Sequence, residues 1–405
     1  MREELRQKAL KALNKYALGE EEIDIASFEA GGKEHPYLES IQELPEEEKK
    51  DMLVAGVDAT EKERAGTFIL EDNSVIHASV FQEGLEVMGT AEALDKYDWL
   101  HELCWNLVEV DRDKYTAKAA LEGDRGYFIR ALPGAKAVYP LQACMFIGRE
   151  GLLQSAHNII IAEEGSDLNI ITGCTTARHV GSGMHIGITE IYVKKNAKLT
   201  FTMIHNWGEE VVVRPRTVSV VEEGGTYLSN YISMTPVRTV QMYPTTYLKG
   251  KNSVARYHSI IVGYPNSDID VGSQVVLQGE GSRAEIIARS LTKGGRIVNR
   301  GRLVGEKEGA KGHLECRGLM LAPEGVIYAV PELEARVDGV ELSHEAAVGK
   351  IAQEEIEYLM ARGLTEDEAT AMIVRGFLNV KIMGLPEELD AEVQKAIAMS
   401  DESDF

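Results

Sequence analysis

Six short tips punctuate the middle of this chain at a nearly fixed interval. They read Glu-Gly-Ser at 164–166, Lys-Asn-Ala at 195–197, Glu-Gly-Gly at 223–225, Lys-Asn-Ser at 251–253, Glu-Gly-Ser at 280–282 and Glu-Gly-Ala at 308–310. Each places Gly or Asn, the residues that tolerate positive φ, at the centre of a tight turn. The tips recur about every 27–31 residues, and apolar runs flank them, as Ile159-Ile160-Ile161 and Leu168-Asn169-Ile170 flank the first. Such a period in strand-rich sequence means stacked coils, since one coil cannot bury its inner face without a neighbour. A two-sheet sandwich also has many short strands, but it seldom keeps so regular a spacing. The expected fold is therefore mainly β, a parallel β-helix core flanked by N-terminal and C-terminal α-helical regions.

Three parts follow from this reading: an N-terminal helical region at 1–70, the β-helix core at 71–342 and a C-terminal helical domain at 343–405. The first begins with an amphipathic helix at roughly 2–17, on which Leu5, Leu10, Leu13 and Tyr16 recur at helical spacing. Gly31-Gly32, Pro36 and Pro45 break the helical pattern after it. Near the other end, Gly363 closes a helix at about 352–362. Thr365 and Glu368 form a capping box for the next, whose apolar face is Ala369, Met372, Ile373, Phe377 and Leu378. Leu385-Pro386 opens a third helix. A helical pair with one apolar face is either a self-packed cap or a docking surface.

Charge and cysteine usage narrow the function classes. The formal net charge of −22 over 405 residues argues against nucleic acid and anionic membrane surfaces, which call for Lys and Arg. No stretch approaches 18 uninterrupted apolar residues and the N-terminus lacks a signal-peptide core, so a cytoplasmic location is expected. The four cysteines, Cys104, Cys144, Cys174 and Cys316, form no Cys-x-x-Cys pair. That spacing disfavours a structural zinc site, a permanent ferredoxin-type cluster and a disulfide framework. Lys293-Gly294-Gly295-Arg296 lacks the spacing of a phosphate loop, and no Gly-x-Ser-x-Gly elbow occurs, so the chain is expected to be no enzyme itself. Arg283, Arg289, Lys293, Arg296, Arg300 and Arg302 form a basic run that either steers an acidic partner or lies on solvated outer faces.

Two groups of residues carry candidate chemistry. Cys316 lies on a strand, Gly312-His313-Leu314-Glu315-Cys316, whose alternation puts Leu314 and Cys316 on one face and His313 and Glu315 on the other. His344 and Glu345 follow about 27 residues later, at an expected strand-to-helix boundary with Ser343 as N-cap. Thiolate, imidazole and carboxylate are ligand types that hold iron, and one chain alone leaves such a site incomplete. A buried structural cysteine and an ordinary helix start are the plain alternatives. The second group is Cys174 with His205 and Trp207, spaced so that Cys174 and His205 fall on adjacent coils. A thiolate there would need a cation to lower its pKa, for which His179, His185 or Arg178 is available in sequence. A core cysteine beside a packed Trp is the alternative.

The segments Gly-Cys-Thr at 173–175, His-Asn-Trp at 205–207, Lys-Gly-Gly-Arg at 293–296, His-Leu-Glu-Cys at 313–316 and Ser-His-Glu-Ala at 343–346, taken in order, resemble the SufB/SufD family of iron–sulfur cluster assembly scaffold subunits. The resemblance spans roughly residues 135–385. It implies a β-helix between helical ends and a transient iron–sulfur cluster at a dimer interface, with Cys316, His344, Glu345 and His313 as the candidate ligands. It also implies sulfur transfer at Cys174, His205 and Trp207. The partners it implies are a SufC-like ABC-type ATPase docked on the C-terminal helices, a sulfur donor protein, and a second copy or a SufB/SufD-type paralogue. Three departures mark this chain, one being that an Arg and an Asn of SufB-type members have no match in Cys144-Met145-Phe146-Ile147-Gly148. Ser-His-Glu combines SufB-type and SufD-type features, and the interface histidine of SufD-type members has no match near Lys307 and Glu308. Two other functions stay open at this point: a structural partner of the ATPase that binds no cluster by itself, and a carbohydrate-active β-helix enzyme.

Overall fold

The computed structural model describes residues 3–17, 21–31 and 34–378. Its described part is 46% strand and 18% helix, built as a parallel β-solenoid of about 8 turns with helices at both termini. All six expected tips are turns with a left-handed central residue: Gly165, Asn196, Gly224, Asn252, Gly281 and Gly309 have φ between 54° and 76°. A seventh, Gly339 at φ 76°, follows Asp338 and closes the last coil. The tips form a ladder of their own. The N–H of Gly165 donates to the Lys195 carbonyl (2.9 Å), that of Asn196 to Glu223 (2.8 Å) and that of Gly224 to Lys251 (2.9 Å). Alternating signs along the ladder put Lys195 3.2 Å from Glu223 and Lys251 3.0 Å from Glu280. These exposed pairs contribute about 0–1 kcal/mol each, so register is set mainly by the backbone and the buried faces.

Two long sheets make the solenoid. One runs through Asp167–Thr176, Lys198–Asn206, Thr226–Ser233, Val254–Gly263, Arg283–Thr292, Lys311–Met320 and Glu341–Lys350, each parallel to the next and in continuous register. The second contains Ser182–Val193, Asp268–Leu277, Arg296–Gly305 and Val326–Ala335. The interior between them is one apolar core that reaches from Phe68 and Ile69 to Leu314, Cys316 and Ile327. At the N-terminal end the pattern turns antiparallel, pairing Gly66–Glu71 with Ser74–Val80 and Leu85–Gly89 with Tyr127–Ala131.

The helices cover the flanks. Helix α1 (Glu3–Ala12) is shorter than the expected 2–17, and its buried residues are Ala9 and Ala12, with Leu5 and Leu13 packed beside them. Leu10 and Tyr16, expected on that face, are exposed at 42% and 66%. The face is set by the small residues that let α1 approach its neighbour closely. Helix α2 (Glu46–Val54) buries Met52. Two helices lie where only strands were expected: α3 (Thr90–Lys96) and α4 (Lys114–Glu122). Asp113 caps α4 through its Tyr115 and Thr116 N–H groups, both 2.9 Å from Oδ1, while its Oδ2 accepts from Arg216 Nε at 2.7 Å. Helix α5 (Gln353–Met360) and helix α6 (Glu366–Leu378) follow the solenoid. The capping box is present, with the Thr365 N–H 2.8 Å from Glu368 Oε2 and the Glu368 N–H 3.2 Å from Thr365 Oγ1. Val374 and Leu378 pack with Val262, Leu291 and Leu319, so much of that apolar face is spent on the solenoid itself. Met372, Met360 and Tyr358 remain exposed. The third expected helix, at Leu385-Pro386, lies outside the described residues.

Candidate functional site

The last coil decides where the candidate ligands stand. Ser343 does not cap a helix, because residues 341–350 form a strand, Glu341–Lys350, paired along its whole length with Lys311–Met320. Helix α5 begins beyond it, at Gln353. Register aligns Leu314 with His344, Glu315 with Glu345 and Cys316 with Ala346. Strand alternation therefore puts Cys316 and His344 on the inner face, and Glu345 and His313 on the outer face. Cys316 is buried, which is what the plain alternative of a structural cysteine describes. His313 Nδ1 lies 2.9 Å from Ser343 Oγ, and Arg317 Nη2 donates to Glu345 Oε1 at 3.3 Å. Burial pushes the Cys316 thiol up to about 11, with Arg289 pulling the other way. At neutral pH the thiol is accordingly protonated while the coil stays as it is.

Among the described residues nothing continues the solenoid beyond these strands. Glu341–Lys350 ends one sheet and Val326–Ala335 ends a branch of the other. Both are ten residues long, and Tyr328, Val326, Leu333 and Val348 expose 39–53% of their surface there. A long edge with unpaired N–H and C=O groups is a template for another strand.

The second group does come together. Cys174 pairs in register with His205, one coil apart, as the spacing predicts. Trp207 lies 5.4 Å from the His205 ring and 5.1 Å from His185, and Tyr231 Oη is 3.0 Å from His205 Nδ1. Of the three cations available in sequence, His179 is exposed in the turn after the Cys174 strand, and the other two do not activate the thiol. Arg178 is engaged by Asp51 at 2.6 Å, and burial holds His185 neutral, its pKa pushed down to about 4. Burial likewise lowers His205 and raises the Cys174 thiol well above its ordinary value. The pocket keeps sulfur as a thiol and imidazoles as neutral hydrogen-bonding groups. Tyr231 was not legible as the partner of His205 beyond its coil position. On the Cys316 side of this group the solenoid encloses a cavity of about 40 Å³, lined among others by Met203, Tyr231, Tyr257, Ser259 and Ala288. Ala288 is the register partner of Cys316. The space is enough for a water or two.

Exposure predicts the order of thiol reactivity. In the native chain an alkylating agent is expected to modify Cys104 first, because Cys144, Cys174 and Cys316 are buried. Peptide mapping after timed labelling checks this, and early labelling of Cys174 would show that its coil opens readily. The basic run is largely a set of neutralised pairs on outer faces: Arg300 is bidentate to Asp270 (2.6 and 2.7 Å), Arg289 meets Glu315 (2.6 Å) and Arg302 meets Glu334 (2.8 Å).

Known proteins close the question of kinship. The family model described as "SUF system FeS cluster assembly, SufBD core domain" matches residues 145–377, which takes in the strands from Leu152 to Lys350, both candidate groups, α5 and nearly all of α6. The chain belongs to the SufBD family. It is 53% identical to an iron–sulfur cluster assembly SufBD family protein of Methanothermobacter thermautotrophicus (strain Winter), with 97% of each chain covered. A protein of the same description from Archaeoglobus fulgidus is 51% identical over 87% of this chain and 95% of its own. One from Staphylococcus epidermidis is 29% identical over 94% and 83%. SufBD proteins take part in iron–sulfur cluster assembly, a scaffold-type role. Among the described residues no helix is long and apolar enough to cross a membrane.

Proposed function

We propose that this chain is a cytoplasmic scaffold on which iron–sulfur clusters are built where the open ends of two solenoids meet. The observation that carries the reading is the position of Cys316, buried on the inner face one strand inside the open edge. A second copy, or a SufB/SufD-type paralogue, would pair with the edge and bring its own Cys316 and His344 towards the first set. Glu345 and His313, on the outer face, would be recruited where the coil twists or opens. The buried thiol fits a scaffold that must be opened before it binds, since the thiolate and not the thiol is the ligand. A SufC-like ABC-type ATPase docked on α5 and α6, where Tyr358, Met360 and Met372 are exposed, would supply that opening. The chain itself contributes no catalysis in this account. Sulfur would arrive as a donor protein's cysteine persulfide: once the coil opens, the Cys174 sulfur attacks the outer sulfur, becomes the persulfide itself and releases the donor cysteine as its thiol, with His205 and Trp207 lining the site.

The burial of Cys316 also favours a second reading, a SufD-like structural partner of the ATPase that binds no cluster by itself. Anaerobic reconstitution with ferrous iron and sulfide, read by absorption and Mössbauer spectra, separates the two. The scaffold reading expects a cluster on the wild-type chain that is lost in Cys316→Ser. No cluster on either chain would leave the structural partner.

A further inference from the structure

Far from the open end, Cys104, Asp124 and His157 converge beside the N-terminal helices. Cys104 is half-buried in the loop after α3, Asp124 follows α4, and His157 rises from the strand Leu152–Ala162 with its ring buried. We propose that these three side chains form a mononuclear site for a divalent transition ion of the zinc or iron(II) type.

Geometry carries the proposal. Cys104 Sγ is 3.9 Å from His157 Nδ1 and 4.0 Å from Asp124 Oδ1, and Nδ1 is 3.5 Å from the same carboxylate oxygen. A tetrahedral ion with metal–sulfur and metal–nitrogen bonds of about 2.3 and 2.0 Å needs donors roughly 3.3–3.5 Å apart. The three donors are within a few tenths of an ångström of that, so small side-chain movements close the site. The second observation is how the imidazole is held. Nε2 lies 2.9 Å from Glu190 Oε2, and Glu190 is fully buried. That carboxylate also accepts the N–H groups of Trp105 (2.6 Å), Leu107 (2.5 Å) and Val108 (3.0 Å). It is thereby fixed as an acceptor, which sets Nε2 as the protonated nitrogen and aims Nδ1 at the thiol and Asp124. A carboxylate anchoring the far nitrogen is the usual support of a metal-bound histidine. Trp105, with its ring centroid 4.3 Å from that of His157, fixes the ring plane.

The donor set selects the ion. One soft thiolate, one imidazole and one carboxylate suit zinc and iron(II) better than calcium or magnesium, which take oxygen donors. Three protein ligands leave a fourth position towards the half-exposed side of Cys104 and Asp124, so the ion could enter and leave there. A proton on Nδ1 is the competing occupant: burial opposes it, but Asp124, Cys104 and Glu190 outweigh burial and favour it, so a metal must compete with it. Metal binding would displace that proton and the thiol proton together.

The probe is cobalt(II), followed by zinc and, under anaerobic conditions, iron(II), each titrated into the metal-free full-length chain. The expected result is one cobalt per chain with a thiolate-to-metal charge-transfer band, displaced by zinc. Cys104→Ser should abolish the band, and Asp124→Asn should weaken zinc binding relative to the wild type. Bound zinc should also slow alkylation of Cys104 in the wild type. Cys316→Ser should bind as the wild type does, and circular dichroism should show each variant folded. Absence of the band in the wild type, its persistence in Cys104→Ser, or its loss in Cys316→Ser would overturn the proposal.

Discussion

Asp113→Ala is expected to cost the chain about 3–5 kcal/mol, because it removes one partner of a buried ion pair and the cap of α4 together. The Arg216 and Asp113 side chains are 3% and 5% exposed and meet at 2.7 Å. The same carboxylate closes the first turn of α4, and α4 fastens α1 to the flank of the solenoid through Tyr115, Ala119 and Ala120. One residue thus serves a helix cap, an ion pair and an interlayer link. Urea denaturation followed by circular dichroism measures the loss. Asp113→Ala with Arg216→Met should recover part of it, since an apolar side chain then replaces the other half of the broken pair. The pair also sets an acid limit. Burial pushes the Asp113 carboxyl up, but Arg216 and the Thr116 N–H outweigh it and hold the pKa below the ordinary value. A lowered carboxyl stabilises the fold above its unfolded value of about 3.9, and that share is lost as pH falls through the folded value. Wild type should therefore lose more stability than Asp113→Asn from about pH 5 downward. Equal acid sensitivity would contradict the assignment.

Gly279→Ala is expected to do comparable harm by a different route. The turns stack so closely that a Cβ at Gly279 would overlap the Gly250 carbonyl oxygen, and a Cβ at Gly250 would overlap the Glu223 N–H. The obstacle in both cases is backbone of the neighbouring coil, which cannot rotate away as a side chain can. Relief means separating two coils, with loss of the Gln278 and Gly279 N–H bonds to the Leu248 carbonyl (3.0 and 2.8 Å). A loss of several ladder bonds at about 1 kcal/mol each, plus strain, gives roughly 3 kcal/mol or more. In a stacked array such a defect separates the coils on its two sides. Thermal unfolding should then become broader or split, whereas Gly165→Ala, at a tip with open space, should show only the smaller cost of φ 69°. A single sharp transition at the wild-type temperature for Gly279→Ala would refute the stacking argument.

How much of this was legible in the sequence follows from which forces are local. Turn chemistry is local, so Gly and Asn at the tips gave the coil period, the fold class and the pairing of Cys174 with His205. The capping box at Thr365 is equally local. The strand Glu341–Lys350 was not legible: Glu-Leu-Ser-His-Glu-Ala-Ala is rich in helix formers, and Ser343 before Glu345 looks like a helix start. Pairing with Lys311–Met320 overrides that propensity. Helices α3 and α4 were missed because α4 buries mostly alanines, which give a weak periodic signal. The Cys104, Asp124 and His157 group was hidden by separations of 20 and 53 residues, which the fold alone closes.

We propose that the open coil of Val326–Ala335 and Glu341–Lys350 is completed by a second chain. Sedimentation velocity on the purified protein, beside Ala346→Arg, tests it most directly. Ala346 is exposed on the inner face of the terminal strand, so the long cation spares this chain's own packing while blocking a partner. The account predicts a wild-type dimer, or a tight complex with a paralogous solenoid, that dissociates to monomers in the variant. A wild type that stays monomeric with and without a paralogue, or a dimer untouched by Ala346→Arg, would contradict it.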